Sequence, residues 1–333
     1  MTNPHVAVLV LNRNMREMTE NLIDTIRKTS TPDHTIFALD AASDKEQQAR
    51  NGDVSIFLTE NKRWAWSFAY AMGAVIDHTD PDNPVFEHGV DLHTKYELVA
   101  TTSPTTPKGQ LWFNEGTAPF THFWLLCNDT QLDPRVDTLN LLLQCMPEDA
   151  CQIHPYQTTH PNGSPQGRHH LAAAAAQYVN DKGIPGPNPR VFHNVAFVEF
   201  VCPLITRSFY DACIERFECS PVGPHFPYGW GVDYEMAYFG HSLGLKSYIC
   251  DGVGITHHPG TTHENHEKTK VEDNNRMRIL ARNSMLDVLE ARYGRNWGDI
   301  FAKAAVDAGV DPKAFLEWSQ HDRALASGGL RVS

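Results

Sequence analysis

The sequence lacks the glycine-rich loops with which many proteins bind phosphate groups. It contains no GxxxxGK[ST] segment, and no GxGxxG follows its first apolar run. Those loops present backbone N–H groups to phosphate oxygens at the start of a helix. We therefore expect neither a P-loop enzyme nor a dinucleotide-dependent dehydrogenase. If this chain binds a nucleotide, acidic side chains and a metal ion must hold it instead.

Long apolar runs, CxxC motifs and an excess of basic residues are also missing. No stretch is long and apolar enough to span a bilayer, and the first residues lack a basic segment and a cleavage site, so we expect a soluble protein without membrane insertion. Several of the seven cysteines lie in apolar runs, which is typical of reduced cysteines in the cytoplasm. The formal net charge of −12 disfavours general nucleic-acid binding, because phosphate contacts need clustered Lys and Arg.

Short apolar runs that alternate with helical patterns in the first half predict an α/β sheet. Buried strands are expected at 5–12, 35–40, 54–60 and 123–129. Asn14 and Asp133 are the expected caps of the helices that follow the first and fourth strands. A mostly buried helix is predicted at 63–76, and residues 77–121 are predicted to be a long insertion. We expect a mixed, mostly parallel sheet that is flanked by helices.

The second half of the chain shows less regular patterns. Residues 154–170 are predicted to form a loop, and 194–214 a strand that leads into a helix. Residues 226–246 are predicted to form a loop rich in glycine and aromatic residues that enters a helix, and 247–266 a pair of strands. A helix at about 267–293 and two shorter helices are expected near the end.

Polar residues end several of the predicted strands: Asn12, Asp40, Glu60 and Asp129. Ligands of open α/β sheets bind beyond the carboxyl ends of the strands. These side chains are therefore candidates for one shared site.

Asp129 and the histidines after residue 256 are candidate metal ligands. A carboxylate and an imidazole suit Mn²⁺ or Mg²⁺ that also binds diphosphate oxygens. A zinc site is conceivable as well, because four histidines are close in sequence: His257, His258, His263 and His266. No HExxH is present, which disfavours a zincin-type protease. Asp129 alone also fits an ordinary turn, and the histidines fit a solvated loop.

Two acids, Asp233 and Glu235, lie at the predicted start of a helix in "YGWGVDYE" (228–235). A carboxylate in a partly desolvated pocket can act as a general base. Acids in a first turn also stabilise the helix dipole without any catalytic role. This motif alone leaves both interpretations open.

Seven segments occur in an order that resembles a known enzyme family: "VLVLNRNMREMTENLIDTI", "FALDAASDKE", "TENKRWAWSFAYAMG", "HFWLLCNDTQLDP", "FVCPLITRSFYDA", "YGWGVDYEMAYFGHSLGLKSYICDGVGITHHPGTT" and "RNSMLDVLEARYG". The series resembles the GT-A glycosyltransferases of the inverting family 2. The resemblance covers roughly residues 5–262, apart from 77–121 and much of 150–190. It implies a GT-A catalytic domain at 1–262 and a C-terminal helical extension with a flexible tail at 263–333.

The resemblance implies roles for individual residues in donor binding. It places Asn12 near the nucleotide, Asp40 against the base, and Asn61 at the position of the Asn in the family's "ENLG" segment. Asn128 and Asp129 match the second and third positions of the DxD metal motif, where Cys127 replaces the first acid.

It also implies roles in catalysis and metal binding. Asp233 matches the family's catalytic base, and Glu235 matches the acid that follows it. His257 matches the metal-contacting histidine, with His258 as the neighbouring candidate.

The implied function is metal-assisted, inverting sugar transfer from a nucleotide donor, with UDP as the expected nucleotide and Mn²⁺ or Mg²⁺ as the cation. The acceptor is a hydroxyl of a glycan or lipid-linked precursor, a protein, or a hydroxylated DNA base. Two other functions remain open. One is a non-catalytic module that binds sugar nucleotides or glycans on the same fold. The other is a metal-dependent hydrolase that uses the histidines at 257–266.

Overall fold

The computed structural model describes residues 4–58, 68, 72, 96–100, 120–158, 192–217, 226–257 and 271–328. Ten strands within these residues form one sheet. The strands are β1 (His5–Asn12), β2 (Asp33–Asp40), β3 (Val54–Leu58), β4 (Tyr96–Ala100), β5 (His122–Leu126), β6 (Thr130–Leu132), β7 (Ala150–Thr158), β8 (Phe192–Val195), β9 (Leu204–Thr206) and β10 (Lys246–His257). The helices are α1 (Arg16–Thr29), α2 (Thr138–Cys145), α3 (Arg207–Phe217), α4 (Val232–Ser242), α5 (Val271–Tyr293), α6 (Trp297–Asp307) and α7 (Lys313–Gly328).

The sheet is mixed, as predicted, and its strand order is β4-β3-β2-β1-β5-β9-β7-β10-β6. β3, β2, β1 and β5 pair in parallel, and β4 closes that edge in the antiparallel direction. β9 is antiparallel to both β5 and β7, while β10 is parallel to β7. β6 and β8 pair with different parts of the far side of β10. The prediction of an α/β sheet flanked by helices is confirmed.

Alternating side chains of β1 separate two apolar layers. All eight residues of β1 are buried. Val6, Val8 and Val10 pack in a cluster with apolar residues of α1 and α2. Ala7, Leu9 and Leu11 face the other layer, which includes side chains from α3 to α7. Because successive side chains of a strand point to opposite faces, a strand that is covered on both sides needs an unbroken apolar run.

The predicted caps of α1 and α2 are wrong. Asn14 has a φ of +51°, and α1 begins two residues later, where the side chain of Asn12 accepts a hydrogen bond from the N–H of Met15 at 3.2 Å. α2 begins at Thr138 and is capped by Asp137, which accepts from the N–H of Asn140 at 3.1 Å. Asp133 instead accepts from Arg135 in a turn, because residues 130–132 are drawn into the sheet as β6.

The loop predicted at 154–170 is also wrong in its first part, because β7 extends to Thr158. Its polar side chains are buried with specific partners. Gln152 donates to the hydroxyl of Ser247 at 2.9 Å, and the ring of His154 accepts from the N–H of Cys202 at 3.0 Å. Burial lowers the pKa of His154 to about 3, so this ring stays neutral. The described part of 247–266 is one strand, β10, with a bulge between Cys250 and Gly254.

Two of the cysteines are linked. Cys145 at the end of α2 and Cys250 in β10 form a disulfide. The other cysteines among the described residues are Cys127, Cys151, Cys202 and Cys213. The linked pair departs from the fully reduced state that we expect of a cytoplasmic protein, and the compartment stays a prediction. In the described part of the chain, no helix has the length and apolar character that crossing a membrane requires.

The last three helices pack against the rest of the fold as part of its core. Met285 and Leu289 of α5, Phe301 of α6 and Phe315 of α7 belong to the same apolar cluster as β1, β2 and α4. The predicted helices near the C-terminus are therefore present, and the domain division at 262 stays a prediction. Most of the predicted helix 63–76 lies outside the described residues. Of the predicted insertion 77–121, the described residues are the edge strand β4 and residues 120 and 121, which precede β5.

Candidate functional site

The carboxyl ends of several strands meet at one edge of the sheet. β1, β2 and β5 are parallel, so Asn12, Asp40 and the turn after Leu126 lie at the same edge. β9 is antiparallel to both β5 and β7, so β7 runs in the same direction as β5. β10 is parallel to β7, so its last residue, His257, lies at this edge as well. This is the edge at which α/β sheets bind ligands.

Helix α4 is also directed towards this edge. A turn with Gly244 at a φ of +76° ends the helix, and the N–H of Leu245 donates to the carbonyl of Gly240 at 2.9 Å. β10 begins at the next residue, Lys246. Because the chain reverses between α4 and β10, the N-terminus of α4 points towards the end of the sheet where β10 finishes. Asp233 lies in that first turn.

Asn12 and Asp40 are hydrogen-bonded to each other below the edge. Both are buried, and Nδ2 of Asn12 donates to Oδ2 of Asp40 at 2.6 Å. The same amide donates to the hydroxyl of Ser43 at 3.2 Å and to the carbonyl of Gln47 at 2.8 Å. Its Oδ1 accepts from the hydroxyl of Thr19 at 2.9 Å. These contacts fix the loop after β2, and contact of Asn12 or Asp40 with a nucleotide stays a prediction.

The electrostatic setting of Asp40 includes a cation that the sequence patterns do not reveal. Burial raises the pKa of Asp40, and this effect exceeds the opposing effects of hydrogen bonds from Ser43 and Asn12 and of the charge on Arg13. The guanidinium of Arg13 also donates to the carbonyl of Ala41 at 3.2 Å and to that of Ala42. Arg13 therefore supplies positive charge beside the edge.

The turn after β5 brings Asp129 beside His257. The N–H of Thr130 donates to the carbonyl of Cys127 at 3.1 Å, which closes the turn. Thr130 then pairs directly with His257 between β6 and β10. Oδ2 of Asp129 lies 3.4 Å from Nε2 of His257, and the two side chains are 11% and 16% exposed. The two residues, distant in sequence, are thus neighbours with limited access to solvent.

The residues before Asp129 do not supply a second charge. Burial raises the pKa of the Cys127 thiol well above its ordinary value, and the charge of Asp129 raises it further. The Sγ atom lies 3.7 Å from the carbonyl oxygen of Phe200, to which it donates. Cys127 is therefore a neutral thiol at the position where the resembling family has an acid. Asn128 is buried beside it, and its contact with a nucleotide stays a prediction.

Gln157 in β7 holds the far side of the His257 ring. Its Nε2 lies 3.0 Å from Nδ1 of His257. A half-turn of the terminal amide exchanges its nitrogen and oxygen, so Gln157 can donate a hydrogen bond to Nδ1 or accept one from it. The second arrangement leaves Nε2 of His257 free to bind a cation, as the outer partners of metal-bound histidines do. Gln157 is not among the predicted site residues, because it lies in the segment predicted to be a loop.

The two acids of α4 have different surroundings. Asp233 is partly exposed, and its Oδ1 lies 3.1 Å from the N–H of Tyr234. Glu235 is buried, and its Oε1 accepts from the hydroxyl of Tyr293 at 2.8 Å and from Arg292. Burial and the charge of Glu235 raise the pKa of Tyr293. Glu235 is therefore engaged by α5, and a catalytic role for it stays a prediction.

Asp129 and His257 are suited to hold a divalent cation only if substrate phosphates and waters supply its other ligands. In the described ranges, no group of three or more His, Cys, Asp or Glu side chains could hold a metal ion. Two protein ligands with waters and substrate phosphates are the usual arrangement for Mg²⁺ and related ions. His258 and Asn61 lie outside the described residues, as do His263 and His266. The predicted zinc-binding histidine cluster is thus untested beyond His257.

No protein-family model and no curated protein matches this chain. Among solved structures, it is similar to the mannosyltransferase PcManGT from Pyrobaculum calidifontis in complex with GDP-Man and Mn²⁺, with 14% identity over 99% of this chain and 77% of that one and a TM-score of 0.46. It is similar to GalNAc-T7 with UDP, GalNAc and Mn²⁺, with 11% identity over 97% of this chain and 58% of that one and a TM-score of 0.44. It is also similar to S. aureus TarS 1-349 in complex with UDP-GlcNAc, with 10% identity over 91% and 72% and a TM-score of 0.45. This chain thus spans less than two thirds of the GalNAc-T7 chain, and likenesses at this level assign it to no family.

Proposed function

We propose that this chain is a GT-A glycosyltransferase. It would transfer a sugar from a nucleotide-sugar donor, preferably a UDP-sugar, to an acceptor hydroxyl with inversion at the anomeric carbon. The observation that carries the proposal is the contact between Asp129 and His257 at the carboxyl edge of the sheet. The motif pattern assigns both residues to a metal site although they are far apart in the chain. Their adjacency, with Asp233 on a helix directed to the same edge, supports that assignment.

Asp129 and His257 would hold Mn²⁺ or Mg²⁺, with His258 as an alternative to His257. A bound ion would neutralise the charge that develops on the leaving diphosphate. Gln157 would orient the imidazole through Nδ1. The nucleotide would contact the edge near Asn12, Asp40, Asn61 and Asn128.

Asp233 would act as the general base. Its carboxylate would take the proton of the acceptor hydroxyl as that oxygen forms a bond to the anomeric carbon. The bond from this carbon to the diphosphate oxygen would break on the opposite face, which inverts the anomeric centre. The acceptor would be a glycan or lipid-linked precursor, a protein or a hydroxylated DNA base, and a screen of these classes for a sugar-sized mass increase distinguishes them.

The metal assignment is tested by titrating Mn²⁺ into the protein with UDP-GlcNAc or GDP-mannose and measuring free Mn²⁺ by electron paramagnetic resonance. We expect Asp129→Asn to weaken Mn²⁺ binding by about tenfold or more, because the site loses its only charged protein ligand among the described residues. The matched control is Asp133→Asn, which removes a nearby acid that pairs with the exposed Arg135 at 2.7 Å. Equal affinities of Asp129→Asn and the control would contradict the assignment.

The base assignment is tested by the release of nucleotide from the same two donors. We expect Asp233→Asn to slow sugar transfer by roughly a hundredfold or more while donor affinity is kept. Equal transfer rates in this variant and the wild type would remove Asp233 from the proposed role. Donor binding without turnover in the wild type would favour a binding module, and tight stoichiometric zinc would favour the hydrolase.

A further inference from the structure

The first turns of helix α4 are buried except at one position. In the segment 231–237, Asp233 is the only residue that is not buried. A helix that is enclosed on almost all sides is held by the elements around it rather than by its own propensity. For α4, those elements include the three C-terminal helices α5, α6 and α7.

One joint between α4 and these helices is centred on Arg282 of α5. Nε of Arg282 donates to Oδ1 of Asp322 in α7 at 3.2 Å, and Oδ2 of Asp322 accepts from the hydroxyl of Tyr234 at 3.3 Å. Asp322 is fully buried, where a carboxylate is stable only when it is hydrogen-bonded or paired with a cation. The guanidinium of Arg282 also lies over the ring of Trp230, 5.7 Å from its centre. Arg282 therefore contacts Trp230, which precedes Asp233, directly and Tyr234, which follows it, through Asp322.

Packing adds a second set of contacts at the same segment. The ring of Tyr234 stacks on Trp297 of α6, with ring centres 5.6 Å apart. Gly231 lies so close to Met285 of α5 that an added Cβ would be 2.7 Å from its Cγ. Glu235 is bound by α5 through Tyr293 at 2.8 Å. All three C-terminal helices thus contact residues that adjoin Asp233.

We propose that α5, α6 and α7 form a clamp that positions Asp233, and that Arg282 is the positioning residue on which the clamp depends. This inference rests on the proposed role of Asp233 as general base. A base must lie within hydrogen-bond reach of the proton that it removes, and a displacement of about 1 Å can lower a rate by about a hundredfold. Arg282 acts on Asp233 through Trp230 and Tyr234.

The test is Arg282→Lys, which keeps the positive charge next to Asp322. Lysine lacks the planar guanidinium that binds a carboxylate and covers an aromatic ring at the same time. With UDP-GlcNAc or GDP-mannose as donor, we expect kcat to fall roughly tenfold to a hundredfold. Donor affinity and Mn²⁺ affinity should stay within about twofold of the wild type, because Asp129 and His257 lie on other elements. Hydrogen exchange of peptides that cover 226–237 should become faster.

The matched control is Arg207→Lys. The side chain of Arg207 is 12% exposed, against 14% for Arg282, and its Nε donates to Oδ1 of Asp211 within α3 at 2.6 Å. We expect this control to lower the melting temperature without the loss in kcat. If the wild type turns over donor and Arg282→Lys has a normal kcat, the clamp is refuted while the proposed function stands. Equal losses of kcat in both variants would refute the clamp in the same way. A wild type without turnover of either donor would refute the proposed function, and the catalytic role of the clamp with it.

Discussion

Gly231 offers a quantitative test of the packing between α4 and α5. Its φ is +96°, a conformation that costs a residue with a Cβ about 1–2 kcal/mol. An added Cβ would also lie 2.6 Å from Cε1 of Phe226 and 2.7 Å from Cγ of Met285. Displacing those side chains in a packed core costs about 1–3 kcal/mol more. We therefore expect Gly231→Ala to lower the free energy of unfolding by about 2–5 kcal/mol.

Gly244→Ala is the matched control for this prediction. Gly244 has a φ of +76°, but no atom lies within 4 Å of the added Cβ. Both substitutions restrict the unfolded chain equally, so the difference between them isolates the contact with Phe226 and Met285. Urea unfolding of both variants, followed by circular dichroism, measures that difference, which should be about 1–3 kcal/mol. A difference below about 0.5 kcal/mol would refute the reasoning, because the close packing of Gly231 on α5 would then contribute nothing.

Three further predictions concern the titration of His122, the disulfide and the side chain of Glu235. Burial lowers the pKa of His122 to about 4, so the unfolded chain binds a proton more readily between pH 6.5 and 4 and stability falls as the pH drops through that range. The variant His122→Asn cannot titrate, so between pH 7 and 4.5 its free energy of unfolding should fall by about 2–3 kcal/mol less than that of the wild type, as measured by urea unfolding. Parallel pH profiles of the two proteins would contradict this. In the unfolded protein, Cys145 and Cys250 should resist alkylation until a reductant is added. Reduction should lower the free energy of unfolding by about 2–5 kcal/mol, and labelling of both cysteines without a reductant would contradict the disulfide. Glu235→Gln removes the buried carboxylate that accepts hydrogen bonds from Arg292 and Tyr293 and should cost about 1–3 kcal/mol, and an unchanged melting temperature would show that these contacts contribute no stability.

The sequence allowed prediction of those parts of the fold that are encoded locally. β1 contains an unbroken run of six apolar side chains, Val6–Leu11, between His5 and Asn12, which identifies a strand buried on both faces. Asn12 and Asp40 end neighbouring strands, so their shared edge follows once the two strands are parallel. Asp129 and His257 were matched by motif order, and only the pairing of β6 with β10 explains why they meet.

The wrong predictions concern residues whose partners are distant in the chain. The first residues of the predicted loop at 154–170 belong to β7, where the polar side chains of His154 and Gln157 are buried and hydrogen-bonded to Cys202 and His257. The cap of α1 fails for a related reason. The amide that serves the N-terminus of this helix belongs to Asn12, whose position is set by β1 and by the hydrogen bond to Asp40. Local turn chemistry at Asn14 carries no information on that contact.

The replacement of an acid by Cys127 has a consequence for how the proposed site would bind its ligands. A protonated thiol and an imidazole add no negative charge, so Asp129 alone would offset a divalent cation among the described residues. One carboxylate retains Mn²⁺ weakly, and diphosphate oxygens have to supply the other charged ligands. Cation and nucleotide should therefore bind with strong mutual dependence, each raising the affinity for the other by the same factor. Mn²⁺ titrations with and without UDP measure that factor, and tight Mn²⁺ binding to the nucleotide-free protein would show that ligands other than Asp129 and His257 complete the site.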